Sequence, residues 1–353
     1  VSTPSYGGKH TVSLATLSYY LATKMAITNS NCFLGLLIFF FIAFASNVHA
    51  NGIDLKVGFY HKTCPHVESI VKEVVYDVIS RVPSLAAPLL RMHYHDCFVR
   101  GCDGSVLLDS PTKQAEKDSI PNLSLRGYQI IDRVKTAVEK SCPGVVSCAD
   151  IVALVARDVT VAVKGPFWEV ETGRRDGRVS NINEALSNLI PPFANITSLK
   201  QGFLQRGLSV KDLVVLSGSH TIGISHCSSF NNRLYNFTGK GDTDPSLDPN
   251  YIKKLKIKCP PNDQNTLVEM DPGSVRTFDN SYYMAVAKRR GLFTSDSALL
   301  DDMETRDYLK RQANNQYGST FFRDFGESMV RMGRVEVLTG NQGEIRKVCS
   351  RVN

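Results

Sequence analysis

The chain has 353 residues, 42% of them hydrophobic, so it can bury a substantial core. Its 41 Lys and Arg outweigh 34 Asp and Glu only slightly, for a formal net charge of +7. No Lys/Arg-rich block occurs, which argues against a nucleic-acid partner and leaves a weak attraction to an acidic matrix such as a polyanionic cell wall.

The first fifty residues do not read as folded protein. Met25 is a better initiator than Val1, so residues 1–24 are set apart as an upstream leader of doubtful status. The apolar run FLGLLIFFFIAFA, residues 33–45, is too short to span a bilayer as a helix. It is followed by Val48-His49-Ala50, a small-x-small ending that suits signal peptidase, although the n-region offers only Lys24. A signal peptide is therefore expected over 25–50, with no membrane anchor in the mature chain 51–353. Removing Lys9 and Lys24 leaves 39 basic against 34 acidic residues, and the remaining length is near the size at which one core splits into two lobes.

Eight of the nine cysteines follow the signal: Cys64, Cys97, Cys102, Cys142, Cys148, Cys227, Cys259 and Cys349; Cys32 lies within it. An even number behind a signal implies four disulfides formed in an oxidising compartment, with connectivity left open by the count. There is no CxxC pair and no CxxCH. Asn195-Ile-Thr and Asn236-Phe-Thr are glycosylation acceptors consistent with secretion.

In chain order, three- and four-residue apolar spacing predicts helices over 67–80, 125–141, 147–163, 196–207, 210–223 and 278–291. FWEVETG, residues 167–173, is the best short strand candidate. The reading is mostly α, with a seam at 180–200 where Asn, Ser and Pro accumulate.

The stretch RMHYHDCFVRGCDGS, residues 91–105, follows a helix-like run. On a helix Arg91 and His95 share a face, whereas His93 points away. Arg91 and His95 alone read more readily as a core histidine beside a surface arginine than as chemistry. As chemistry, they join a proton carrier to a permanent cation. A metal pair from His93 and His95 needs a strand, where alternate residues share a face. Asp96, Asp103 and Ser105, with the carbonyls of Val99 and Gly101, supply hard oxygens suited to calcium, although not at EF-hand spacing. Cys97 and Cys102 flank this loop and could close it. Further on, His220 ends the run LSGSHTIG and is followed by Thr221. MDPGSVRTFDN then adds Asp271, Ser274, Thr277 and Asp279, while Asp296 stands isolated in TSDSALL.

RMHYHDCFVRGCDGS, followed in order by VVSCADIVAL, GRRDG, LSGSHTIG and FDNSYY, resembles the secreted class III plant haem peroxidases over essentially the whole mature chain. The resemblance implies a mostly helical, two-lobed fold, with haem b held non-covalently between a distal lobe (about 51–195) and a proximal lobe (about 196–353). It implies the disulfides Cys64–Cys142, Cys97–Cys102, Cys148–Cys349 and Cys227–Cys259. Position by position, His95 looks like the distal acid–base, Arg91 its transition-state partner, and Asn122 the residue that fixes the distal imidazole. His220 looks like the axial iron ligand, oriented by Asp296. Asp96, Val99, Gly101, Asp103 and Ser105, with Glu116 through a water, look like one calcium set; Thr221, Asp271, Ser274, Thr277 and Asp279 look like the second. Asp150 and Arg174 match a structural buried pair. Asn122 also falls in an Asn-Leu-Ser sequon and should escape glycosylation if it lines the haem pocket.

The implied activity is reduction of hydrogen peroxide to water with one-electron oxidation of phenolic donors, in roles such as wall cross-linking, auxin oxidation or stress response. A monomer is expected. The ending RKVCSRVN lacks the apolar extension of vacuolar relatives and favours the extracellular space or wall. Two positions depart from the family pattern. Tyr94 stands where phenylalanine is usual, which raises the hypothesis of an altered peroxide pocket and radical leakage onto Tyr94. Ile190 stands where proline is usual, at a position lining the donor channel, which puts donor preference in question. The competing readings are a secreted metallohydrolase using His93 and His95, and an inactive disulfide-rich wall glycoprotein.

Overall fold

The computed structural model describes residues 55–314 and 319–353; the leader and signal assignments lie outside the described residues. The fold is mostly helical. Its only named strands among these residues are two short antiparallel pairs, Lys56–Val57 with Glu171–Thr172 and Ile224–His226 with Leu267–Glu269. The strand expected over 167–173 shrinks to Glu171–Thr172, because its partner offers only two residues. Trp168 and Val170 turn into the core.

The central helix Cys148–Ala162 is buried from Cys148 through Thr160, with Ser147 Oγ capping it by accepting the Asp150 N–H at 3.1 Å. A helix apolar on all sides belongs inside a fold, and the helices Val67–Arg81, Ala86–Cys97 and Tyr128–Ser141 pack around this one. The main apolar core runs without a break from Val71 and Val75 through Leu154 to Leu213, Tyr283, Phe321 and Phe325, so it crosses the 180–200 seam. A smaller cluster, including Phe230, Leu234, Tyr251 and Leu255, gathers around Cys227 and Cys259.

The helix expected over 210–223 stops as α-helix at Ser217 and tightens into a 3-10 turn, Gly218–Thr221. A Cβ at Gly218 would meet the Tyr283 hydroxyl and the Phe321 ring at 2.5 and 2.6 Å, so only glycine lets the backbone approach here. That turn presents His220.

Asp150 and Arg174 form a buried pair at 2.8 Å, with Tyr60 OH and Gly173 N–H also donating to Asp150 and the Arg174 guanidinium reaching Gly333 O. The pair ties the central helix to the C-terminal region. The disulfides join Cys64 to Cys142, Cys97 to Cys102, Cys148 to Cys349 and Cys227 to Cys259, the pairing that the resemblance implied.

Cys148–Cys349 closes a separation of 201 residues and Cys97–Cys102 one of 5. Chain-entropy reasoning puts their contributions at about 5 and about 2 kcal/mol respectively. Replacing each pair by serine should therefore lower the denaturant midpoint far more for Cys148/Cys349. Equal losses would show that loop closure is not the controlling quantity.

Candidate active site

The Ala86–Cys97 helix places Arg91 and His95 one turn apart. Arg91 donates from Nη1 to Ser124 Oγ at 2.9 Å and from Nη2 to Pro121 O at 2.7 Å, which ties it to the segment carrying Asn122. Asn122, itself 1% exposed, donates through its amide nitrogen to Glu116 O at 2.8 Å. Its Oδ1 is thereby the atom left to accept from His95 Nδ1, and the two are hydrogen-bonded. The proton sits on Nδ1, and Nε2 is bare. Burial, then the Arg91 charge, pushes the His95 imidazole well below its ordinary range against the opposing pull of Asn122, so it stands neutral and able to accept a proton.

His93 points elsewhere. It is buried with Nδ1 3.6 Å from Cys97 Sγ, and burial followed by the Arg174 charge lowers it to about 3. The His93/His95 hydrolase reading therefore lacks its ligand geometry, because the helix sends the two rings to different sides.

His220 Nδ1 donates to Asp296 Oδ1 at 2.8 Å, again leaving Nε2 bare. Asp296 is 1% exposed, whereas the His220 side chain is 35% exposed, so the imidazole looks out of the core while its orienting carboxylate lies within it. Burial alone would raise the Asp296 carboxyl. His220, the Phe293 N–H at 2.8 Å and the Tyr282 hydroxyl at 2.9 Å outweigh it and hold the group below the usual carboxylate range. Tyr282 is the residue that sequence reasoning missed: it sits in FDNSYY, and no spacing rule links a tyrosine to an aspartate fourteen residues on.

Two oxygen-rich loops adjoin these imidazoles. At the first, Asp96 Oδ2 accepts the Gly104 N–H at 2.9 Å and Asp103 Oδ1 the Ser105 N–H at 2.9 Å. Ser105 Oγ and both Glu116 carboxylate oxygens are buried without a hydrogen-bond partner. The Gly101 carbonyl accepts the Asp103 N–H at 2.8 Å, and Val99 is buried beside it. Burial and mutual repulsion push Asp96 well up and Glu116 to about 9, and burial raises Asp103. At the second loop, Thr221 Oγ1 donates to Asp279 Oδ1 at 3.1 Å and Asp271 Oδ2 at 3.3 Å. Ser274 Oγ reaches Asp279 Oδ2 at 2.5 Å and Thr277 O at 3.2 Å, while burial and then Asp279 raise Asp271 to about 6.

A protein-family model described as Peroxidase matches residues 71–315. Among curated relatives, Peroxidase 27 of Arabidopsis thaliana is 64% identical over 304 residues, 86% of this chain and 94% of its own length. Peroxidase 56 of Arabidopsis thaliana is 59% identical over 332 residues, covering 94% of this chain and 99% of the relative. Peroxidase 1 of Oryza sativa subsp. japonica is 57% identical over 314 residues, covering 88% and 96%. The chain belongs to the class III plant peroxidases.

Membership in the peroxidase family implies haem, and the residues present suit it. A half-exposed imidazole with Nδ1 already engaged offers Nε2 to iron, as a histidine-ligated haem requires. The first loop suits calcium, since three buried carboxylates and orphaned oxygens are costly unless a cation or protons neutralise them, and the carbonyls present are hard donors.

The two departures of this peroxidase meet. The Tyr94 ring lies edge-on to His95 with centroids 5.4 Å apart and tilted against Phe98 at 4.3 Å. The Tyr94 and Ile190 side chains both pack against the main core, and burial pushes the Tyr94 phenol up to about 12 against a smaller opposing pull from the Ile190 backbone N–H, a group that proline lacks. Arg206 braces the same place by reaching both Phe98 O at 2.7 Å and Asn188 Oδ1 at 2.6 Å.

A double-mutant cycle on Tyr94→Phe and Ile190→Pro should show a coupling of about 0.5–1.5 kcal/mol in unfolding free energy. Additive losses would mean that the phenol and the amide do not interact. Calcium linkage gives a second test. The folded carboxyls of Asp96, Asp103 and Glu116 are raised above their unfolded values, so without metal the fold is favoured while they are protonated. The chelated protein should lose stability as pH rises from about 4 through Glu116's value of about 9. The melting temperature gained by adding calcium should therefore widen as pH rises from 5 to 8, since the ion replaces those protons. A gain that does not depend on pH would contradict this ligand set.

Proposed function

We propose that this haem peroxidase binds one haem b non-covalently through His220, uses His95 and Arg91 to activate hydrogen peroxide, and oxidises phenolic donors. The observation that carries the assignment is the pair of imidazoles with Nδ1 engaged and Nε2 bare. The acceptor is a neutral amide for His95 and an anionic carboxylate for His220. A neutral acceptor fixes the His95 tautomer without making the ring strongly basic, so it can take a proton and give it back. A carboxylate acceptor enriches the His220 ring in electrons, as suits an axial ligand.

A haem held through His220 Nε2 would supply the open iron position for peroxide and the two electrons that peroxide reduction consumes. His95 Nε2 takes the proton from one peroxide oxygen and delivers it to the other, which leaves as water. The Arg91 guanidinium, held by Pro121 O and Ser124 Oγ, keeps its remaining N–H groups for the charge that develops as the O–O bond breaks. Two phenols, each giving one electron and one proton, return the enzyme to its resting state. Exposed Ile120 and Phe193, on the segments that carry Asn122 and Ile190, offer apolar surface for an aromatic donor.

Asp96, Val99, Gly101, Asp103 and Ser105, with Glu116 through a water, would hold one Ca2+. Thr221, Asp271, Ser274, Thr277 and Asp279 would hold the second. The chain acts as a monomer secreted to the extracellular wall, where its basic excess favours acidic polymers. Among the described residues no helix is long and apolar enough to cross a membrane. Asn195 and Asn236 are exposed and suit glycans, and each uses its side-chain oxygen to accept a backbone N–H, leaving the amide nitrogen outward.

Purified chain reconstituted with haem should show a Soret band and oxidise guaiacol with peroxide. His95→Leu should cut the second-order rate with peroxide by roughly 10²–10⁴. A haem-loaded wild-type protein without activity would restore the inactive-glycoprotein reading.

A further inference from the structure

Asp296 Oδ1 accepts two hydrogen bonds at once, from His220 Nδ1 at 2.8 Å and from Tyr282 OH at 2.9 Å. Oδ2 accepts the Phe293 N–H at 2.8 Å. Tyr282 and Asp296 are 2% and 1% exposed, so water does not compete for these bonds and each is strong. The Tyr282 ring also stands edge-on to His220, with centroids 5.9 Å apart at 82°. Arg233, wholly buried and ion-paired with Asp244 at 2.7 Å, reaches Ser297 Oγ at 2.6 Å on the residue after Asp296 and so helps fix that segment. Tyr282 is held by the Ser281–Ala287 helix, whose first amide, Ser281 N–H, donates to Asp279 Oδ1 at 2.7 Å. The phenol that touches Asp296 is therefore braced from the loop around Thr221.

Two donors on one carboxylate oxygen compete for its electron density. Each lowers the basicity that the other meets. We infer that Tyr282 is a positioning residue that restrains the pull of Asp296 on the His220 Nδ1 proton, and through it sets how electron-rich the axial imidazole is. This deepens the proposed axial role of His220 and rests on it. Without the phenol, Asp296 is the stronger base, His220 gains imidazolate character, and ferric iron is favoured over ferrous.

The test uses haem-loaded wild type and Tyr282→Phe, read by potentiometry, by the resonance Raman iron–imidazole stretch of the ferrous form, and by melting temperature. Tyr282→Phe should shift the ferric-to-ferrous equilibrium about tenfold toward ferric, a fall of about 59 mV for one electron. The stretch should rise in frequency. Site-specific 3,5-difluorotyrosine at position 282, which preserves the ring and strengthens the donor, should move both readouts the other way and covers the case in which Tyr282→Phe misfolds. A lower melting temperature with unchanged potential and stretch would reduce Tyr282 to a packing residue and overturn the inference. An iron–imidazole band that survives in His220→Ala would overturn the axial assignment itself, a failure distinguishable from the first.

Discussion

A histidine has two ring nitrogens, and which one is free depends on what the other bonds. At His95 the choice rests on Asn122, whose own amide nitrogen is committed to Glu116 O, so that only its oxygen can face the imidazole. At His220 it rests on Asp296, buried and triply bonded. Everything proposed for the chemistry depends on these two Nδ1 contacts. Were either acceptor turned or lost, Nε2 would compete for the proton and the ring would no longer be held for proton transfer or for iron.

Both acceptors sit on short helical turns rather than on long secondary elements, Asn122 in Ile120–Asn122 and Asp296 in Thr294–Ala298. Asn122 follows Glu116, whose carbonyl orients it while its carboxylate belongs to the acidic loop closed by Cys97–Cys102. Thr221 follows His220 and is bonded to Asp271 and Asp279. Buried carboxylates with incomplete partners are expensive, and a divalent cation on hard oxygens relieves that cost while locking the loop. On the proposed calcium assignment, cation binding and imidazole orientation would be mechanically joined on both sides, although the ions would do no chemistry themselves.

Much of this was readable along the chain because helix periodicity is local. The i,i+4 relation of Arg91 and His95, and the divergence of His93, follow from 3.6 residues per turn, and the Ala86–Cys97 helix has them so. The helices over 67–80 and 147–163 begin and end within a residue or so of their expected bounds, since their apolar stripes are long. Short elements were less legible. The 167–173 strand depended on a partner 115 residues earlier in sequence, Lys56–Val57, which supplies only two residues. The 210–223 helix was cut at Ser217 by the close approach of Tyr283 and Phe321 to Gly218.

What the sequence by itself determined was the inventory: eight cysteines behind a signal-like stretch, an Arg/His helical face, two acid-rich loops beside histidines, and the ordered motifs that carry the family resemblance. Those are matters of composition, local periodicity and order, and they do not require knowing what lies across the fold. Only the tertiary structure decided which atoms share a proton or an oxygen. Tyr282 meets Asp296 Oδ1, and Asn122 turns its oxygen rather than its nitrogen to His95. Each of these contacts joins segments distant in the chain or chooses between the two ends of one side-chain group, and the packing of the whole core sets both.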